Sequence, residues 1–476
     1  MQLVFRIAIL ALSAALGVDG ILREAPWEDE YFSLRALEGG WGYRFIPVYF
    51  AWLKTGALFS ENLVWLRLWS FAPFLAGLAM VDGLLRRWGV RPEVALLTLA
   101  LLAINPWLVH ECRSVRYYGM LFLASILALR AITWLASPAA AMVSSRRRVF
   151  VWGLVALPQL VLYSGAGLIA VMVGWWIVRT RNRGARRLGA PASILLGVGV
   201  LLTWPLWFPL RKLRFIVTSD RWNELPVDLG YPKGPVDAPA LAFQYEQLLG
   251  LGPLEWWAPA ALVEGGAVVL VAVGGWAALR RSRCEHRSLL LAIAAVPAFA
   301  WAASPVVNLL GTRWYLYAAL PLAWMTATAV HQAWRSGGIV GRAAAATIVG
   351  VLLASTAASR LHPTDPSLQD LARELTDRNV VILHVEPPWY AKHVARYLAR
   401  NGCPTVVGSL PEEGFPRGYY SAWLFVKSRG YVWEPPSAGY RRLPHHKYEE
   451  IARLPSLRRY YFHEPRPFDV LLFRRP

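Results

Sequence analysis

The sequence predicts a polytopic α-helical membrane protein of about eleven transmembrane helices, followed by a C-terminal extracytoplasmic α/β domain. Three observations carry this. Apolar runs long enough to span a bilayer recur through the first 360 residues, and 56% of the 476 residues are hydrophobic. The short loops between those runs alternate sharply in charge. Beyond about residue 361 the spanning runs stop, and short strand-like and helix-like segments alternate instead.

The expected spans lie near 3–20, 63–83, 94–110, 118–136, 149–161, 164–178, 192–210, 256–279, 288–304, 314–331 and 341–358, the fifth and sixth being short. The first, "MQLVFRIAILALSAALGV", reads as a membrane helix, because it has a long apolar run and no clean small-x-small cleavage site. The loops "RRWGVR" (86–91), "SSRRR" (144–148), "RTRNRGARR" (179–187), "RRSRCEHR" (280–287) and "RSGGIVGR" (335–342) all fall on one side. The positive-inside rule makes that side cytoplasmic. The N-terminus is then cytoplasmic, in a multi-pass protein of the cell (inner) membrane. The opposite, periplasmic or extracellular, side receives residues 21–62, the turn around Glu111–Tyr117, a loop at 211–254, the turn before Arg313 and the C-terminal domain.

Two domains follow: 1–360, the membrane domain, with interfacial helices in its first outer loop (21–62), and 361–476, a soluble outer-face α/β domain. In the second, "HPTDPSLQDLAREL" reads as a capped helix, and "NVVILHV" (379–385) as a strand. "PPWYAKHVARYLARNG" reads as a helix ending at Gly402. "PTVVGS", "AWLFVKS" and "FDVLLFRR" read as further strands.

A net charge of +20 would mark a soluble chain as a candidate nucleic-acid binder. Here the arginines sit in loops where they orient helices, so membrane lipids, not nucleic acid, are the expected partners. Cys112, Cys284 and Cys403 lie far apart, odd in number and without metal-ligand spacing, and read as isolated thiols. His445–His446 and His463–Glu464 lack a matching second pair and read as surface residues.

Two acid-plus-arginine clusters meet the outer face. The first follows helix one: Glu28, Asp29 and Glu30, then Arg44 in "GYRFIPVYFAWL", an expected interfacial helix. "SENLVWLRLWS" then places Arg67 inside an apolar run, and an intramembrane charge is a functional hypothesis by default. The second cluster is Glu111, Arg113 and Arg116 in "HECRSVRYYGM". Carboxylates at such a boundary act as general bases or metal ligands. Arginines there clamp a phosphate through charged, often bidentate, hydrogen bonds. The bland alternatives are solvated loop acids, a snorkelling Arg67, an Arg116 that only partners Glu111, and an Arg313 that anchors its helix at the interface.

The run from "WEDEYFSLRALEGG" through "SENLVWLRLWS" to "HECRSVRYYGMLFL" resembles the N-terminal half of the GT-C glycosyltransferases, in the protein O-mannosyltransferase and aminoarabinose-transferase branch. The resemblance covers residues 1–135 and continues in "YSGAGLIAVM" and "TRWYLYAALPLAWM". It implies an inverting transferase acting on the outer face. The sugar would pass from a polyprenyl-phosphate donor to a lipid, glycan or protein acceptor, with a divalent metal ion as an optional cofactor. The family's acidic pair falls on Asp29, the implied catalytic base, and Glu30. Its helix-initiating proline falls on Pro47, its helix-two residues on Arg67 and Ser70, its Arg-x-Tyr on Arg116 and Tyr118, and its late arginine on Arg313. The implied phosphate ligands are Arg67, Arg116, Arg44 and Arg313. Two departures stand out. Ser114 occupies the place of a second acid, a role open to Glu111, and Phe45 and Ile46 replace a His-Pro pair before Pro47. The competing class is a lipid-linked-sugar flippase or transporter. Such proteins tend to show inverted repeats and midplane polar residues, neither of which is clear in this sequence.

Overall fold

The computed structural model describes residues 2–23, 30, 33–34, 36–37, 46–162, 164–182, 238–303 and 312–361, and, further on, 372–373, 375–377, 379–386, 395, 398–399, 402–407, 420–426, 449–461 and 464–474. Asp29, Arg44, the expected span at 192–210 and most of the 211–254 loop lie outside them. Two compact units are present: 1–22, 33–219 and 234–361 form one, and 23–32, 220–233 and 362–476 form the other.

The first unit is helical. Its helices are α1 (Gln2–Arg23), α2 (Pro47–Ala57), α3 (Leu63–Arg87), α4 (Pro92–Ile104), α5 (Pro106–Arg113), α6 (Tyr118–Leu135), α7 (Ser145–Val161), α8 (Gly165–Asn182), α9 (Ala238–Leu249), α10 (Ala260–Arg281), α11 (Arg287–Ala294), α12 (Val296–Ala303), α13 (Ala319–Ser336) and α14 (Gly338–Leu361). Among the described residues five helices are long and apolar enough to cross a membrane, six if the bent pair α4–α5 forms one span. The chain is an integral membrane protein. A helix, α2, is present where the interfacial one is expected, started by Pro47 in its first turn, where a missing N–H is harmless.

One expected span is sharply bent, and another is interrupted at a single residue. The run 94–110 forms α4 and α5, bent by 58° at Asn105–Pro106. Pro106 removes a helical hydrogen bond. The Asn105 side chain then caps the new start, its Oδ1 accepting from the Leu108 N–H at 2.9 Å. The run 288–304 divides into α11 and α12 at Ala295, just before Pro297. The run 314–331 begins not as α-helix but as a 3₁₀ turn, Thr312–Ala318.

α3 is the central strut. Asn62 caps it, with Oδ1 accepting from the Val64 N–H at 2.8 Å, and Arg86 and Arg87 stand in its last turn, where cations suit the helix dipole. Near that end Asp82 is 3% exposed and forms an ion pair with Arg6 of α1; Arg86 stands 3.8 Å away. α3 packs against α6, and Gly119 permits the approach: a Cβ there would lie 2.7 Å from the Ser70 carbonyl oxygen. The three cysteines are free and buried. Burial pushes the Cys284 thiol, in the turn before α11, up to about 11.

The second unit holds a five-stranded mixed sheet of β1 (Val380–Glu386), β2 (Val406–Val407), β3 (Tyr420–Val426), β4 (Glu449–Tyr461) and β5 (Glu464–Arg474), in the order β2-β1-β3-β5-β4. β1 pairs parallel with β2 and β3, while β5 pairs antiparallel with β3 and β4. β4 is not among the expected strands. Pro455 breaks its alternation, and the register shifts there, between Leu454 and Leu457. Residues 372–373 and 375–377 are helical, within the expected helix "HPTDPSLQDLAREL" (362–375) and just past it. Gly402 sits at φ +66, as a helix-ending glycine does.

The Asn105 break is also a tertiary joint. Its Nδ2 donates to the Leu248 carbonyl at 2.9 Å, and Thr356 Oγ1 donates to the Ile104 carbonyl at 2.9 Å. Gly250, at φ +78, lies against Asn105 so closely that a Cβ would sit 2.8 Å from its amide. Its carbonyl accepts from Ser355. Asn105→Ala removes the cap and leaves the buried Leu248 carbonyl unsatisfied, a loss of about 2 kcal/mol or more. Thermal unfolding in detergent should show a clear fall in Tm, with Gly250→Ala at least as damaging; unchanged midpoints would refute the joint.

Candidate functional site

The ends of α1, α3, α5 and α6 remote from Arg86 and Arg87 converge on one polar, aromatic cluster. Tyr49 of α2 is fully buried, and its hydroxyl lies 3.4 Å from Ser70 Oγ of α3. Its ring meets Tyr117 edge-on at 6.0 Å, and Tyr117 meets Tyr118 at 4.6 Å. Two tryptophans lock α2 to α3. Trp52 and Trp69 stack at 4.5 Å, and each indole N–H donates to the other's carbonyl, at 3.0 and 2.8 Å. Trp65 adds a third bond, to the Gly56 carbonyl at 2.8 Å. These contacts hold α2 against the strut that carries Arg67 and Ser70.

Arg67 is 3% exposed and donates Nη1 to the Ile21 carbonyl at 3.2 Å. Ile21 lies in the last turn of α1, where carbonyls lack helical partners, so the guanidinium closes that helix end. The bond uses one of its five N–H donors. Arg116 sits in the turn between α5 and α6 and is only half-buried. Its guanidinium lies 4.8 Å from the Tyr117 ring centroid and 5.9 Å from that of Tyr118. Nη2 donates to the Tyr117 hydroxyl at 3.3 Å and Nη1 reaches Ser33 Oγ at 3.5 Å. Stacking on aromatic faces orients a planar cation.

Glu111 is 2% exposed in the last turn of α5, and Ser114 Oγ donates to its backbone carbonyl at 2.8 Å. Ser114, in the place of the family's second acid, thus closes the end of α5. Arg113 points towards α1: its guanidinium lies over Gly20, where any Cβ would overlap it, and it meets His110 Nδ1 at 3.1 Å.

The structure thus brings Arg67, Arg116, Tyr118, Pro47 and Glu111 to one end of the first unit. Glu30 is a buried helical residue of the second unit, described by itself. Arg313 lies in the 3₁₀ turn Thr312–Ala318. Asp29 and Arg44 lie outside the described residues. Among the described residues no three His, Cys, Asp or Glu side chains gather into a metal-binding set. Sequence reasoning passed over Tyr117 and Ser33, which meet Arg116, and Tyr49, whose ring meets Tyr117. The one signal for Tyr117 was its place beside Arg116 in "RYY".

No protein-family model matches the chain, and no curated protein matches it. Solved structures do. ArnT from Cupriavidus metallidurans, bound to undecaprenyl phosphate, is similar over 98% of this chain and 97% of its own, at 13% identity and a TM-score of 0.52. The archaeal oligosaccharyltransferase AglB from Archaeoglobus fulgidus, in complex with an inhibitory peptide and a dolichol-phosphate, aligns over 88% of this chain and 69% of its own, at 11% identity and a TM-score of 0.44. An Archaeoglobus fulgidus oligosaccharyltransferase in complex with Zn and sulfate aligns over 84% and 62%, at 12% identity and a TM-score of 0.42. The ArnT likeness runs nearly end to end in both chains. The protein shares its fold with ArnT, the fold expected from the resemblance read in residues 1–135. At these identities the likeness is one of fold.

Proposed function

We propose that the protein is a membrane glycosyltransferase that moves a sugar from a polyprenyl-phosphate donor to a lipid, glycan or protein acceptor on the outer face. The observation that carries this reading is Arg116. It is a half-buried guanidinium braced by Tyr117 and Tyr118 at the convergent helix ends of a GT-C fold. The undecaprenyl phosphate held by ArnT is a ligand of the chemistry such a cation takes.

In this reading Arg116 and Arg67 bind the donor phosphate, with Arg44 and Arg313 as further ligands. Asp29 accepts the proton of the acceptor hydroxyl while its oxygen bonds to the anomeric carbon. The bond from that carbon to the phosphate oxygen breaks, and polyprenyl phosphate leaves with the electron pair. One displacement inverts the anomeric centre. The arginines stabilise charge growing on the leaving phosphate. Glu30 and Glu111 orient the acceptor, and Tyr118 and Pro47 support the site.

The arginine-rich loops support an inner-membrane orientation with a cytoplasmic N-terminus, about eleven spans, and residues 361–476 as an outer α/β domain. The test is purified protein in nanodiscs with a panel of polyprenyl-phosphate monosaccharides. Donor consumption with release of polyprenyl phosphate is the expected result. No consumption of any donor, together with lipid translocation in vesicles, would establish a transporter instead.

A further inference from the structure

Helix α9 carries a polar run, Gln244-Tyr245-Glu246-Gln247, in an otherwise apolar setting. Gln244 is 1% exposed, and Glu246 and Gln247 are fully buried. Among the described residues neither Oε1 nor Nε2 of Gln244 has a hydrogen-bond partner, and neither does Oε1 of Gln247. Gln247 Nε2 donates to Glu246 Oε1 at 3.3 Å. Buried polar atoms are nearly always bonded, so an amide with both ends open is a group held for something that arrives later.

Its placement says where that partner comes from. α9 packs against α5, the helix of Glu111, and against the turn Thr312–Ala318 that carries Arg313. The Asn105–Leu248 hydrogen bond pins the end of α9 to the start of α5. From that pin α5 rises about 9 Å to Glu111, and α9 runs back about 6 Å to Gln244. Rotation of α9 is fixed as well, because the Tyr245 hydroxyl donates to the Ala294 carbonyl at 3.1 Å. Gln244 and Gln247, three residues apart, share one helix face.

The two amides offer donors and acceptors together, while Glu246, two residues from Gln244 and so off its face, holds Gln247 Nε2. A phosphate, which only accepts, would leave the amide oxygens unmet, and an alkyl chain would meet open polar atoms. Sugar hydroxyls, which both donate and accept, fit the pair. We propose that Gln244 and Gln247 form a subsite that hydrogen-bonds the ring hydroxyls of the transferred sugar and sets donor specificity. The proposal rests on the glycosyltransferase reading above.

The test compares wild type with Gln244→Leu and Gln247→Leu, and with Gln244→Glu as a polar control in case the leucine variants fail to fold. Binding is read for two epimeric undecaprenyl-phosphate monosaccharides and for sugar-free undecaprenyl phosphate, and transfer kinetics for the two epimers. The leucine variants should bind the sugar lipids about fivefold more weakly, the worth of one neutral hydrogen bond. Their preference between epimers should shrink, with binding of undecaprenyl phosphate unchanged. Gln244→Glu should change the epimer ratio. Wild-type ratios in all variants, or equal weakening towards all three lipids, would overturn the subsite alone. Wild-type protein that neither binds nor consumes any sugar lipid would overturn the glycosyltransferase reading, and the subsite with it.

Discussion

Asp29→Asn is expected to slow sugar transfer about 10²–10⁴-fold, the usual contribution of a positioned general base, with donor binding near the wild-type value. The substitution keeps shape and hydrogen-bonding capacity but removes the ability to take the acceptor's proton. The expected signature is therefore a fall in kcat with a nearly constant donor KM. In "WEDEYF" three carboxylates stand in a row, and the proposal gives them unequal work. Glu30→Gln, at a buried helical position, should lower expression or Tm as well as rate. Glu28→Gln should change little. Single-turnover assays with saturating donor separate the three. Near-wild-type transfer by the Asp29 variant would remove Asp29 as the base.

The helical half was legible in the sequence because spanning length and loop charge are both strong, local signals. α1, α3, α6, α10 and α14 fall close to where the apolar runs placed them. The bend at Asn105–Pro106 was not read, although the dipeptide carries both a cap and a helix breaker. Hydropathy averages over a window and passes smoothly through a polar joint of one residue. β4 was missed for a related reason: Pro455 interrupts alternation in a strand whose pairing is decided by β5, far from any local pattern. At the candidate site, residue types at motif spacing picked out Arg67, Arg116 and Tyr118. Their division of labour was beyond motif reading. Only tertiary geometry sets Arg67 on the Ile21 carbonyl and stacks Arg116 on Tyr117 and Tyr118. The amides of α9 carry no motif at all, because a glutamine in an apolar helix becomes informative only once its burial and lack of described partners are seen.

That division of labour yields the other large effect. Arg116→Ala should raise the donor KM about 10–100-fold, the range for a hydrogen bond to a charged group, while Tm stays close to wild type. The side chain is only half-buried, with Ser33, Tyr117 and Tyr118 among its contacts, so its loss should cost the bundle less than loss of the buried Arg67. Arg116→Lys keeps the charge but loses the planar fork and the stacking on two rings, and should recover only part of the affinity. Arg67→Ala should behave differently. Its guanidinium bonds the Ile21 carbonyl inside a buried boundary between α1 and α3, so removal should show first as a lower unfolding midpoint, with any KM change following from it. Measuring donor KM and Tm on the same preparations decides the assignment. A KM effect at Arg116 without a Tm effect places it on the phosphate. A wild-type KM in Arg116→Ala would make it a brace for Tyr117 and leave the donor phosphate to other cations.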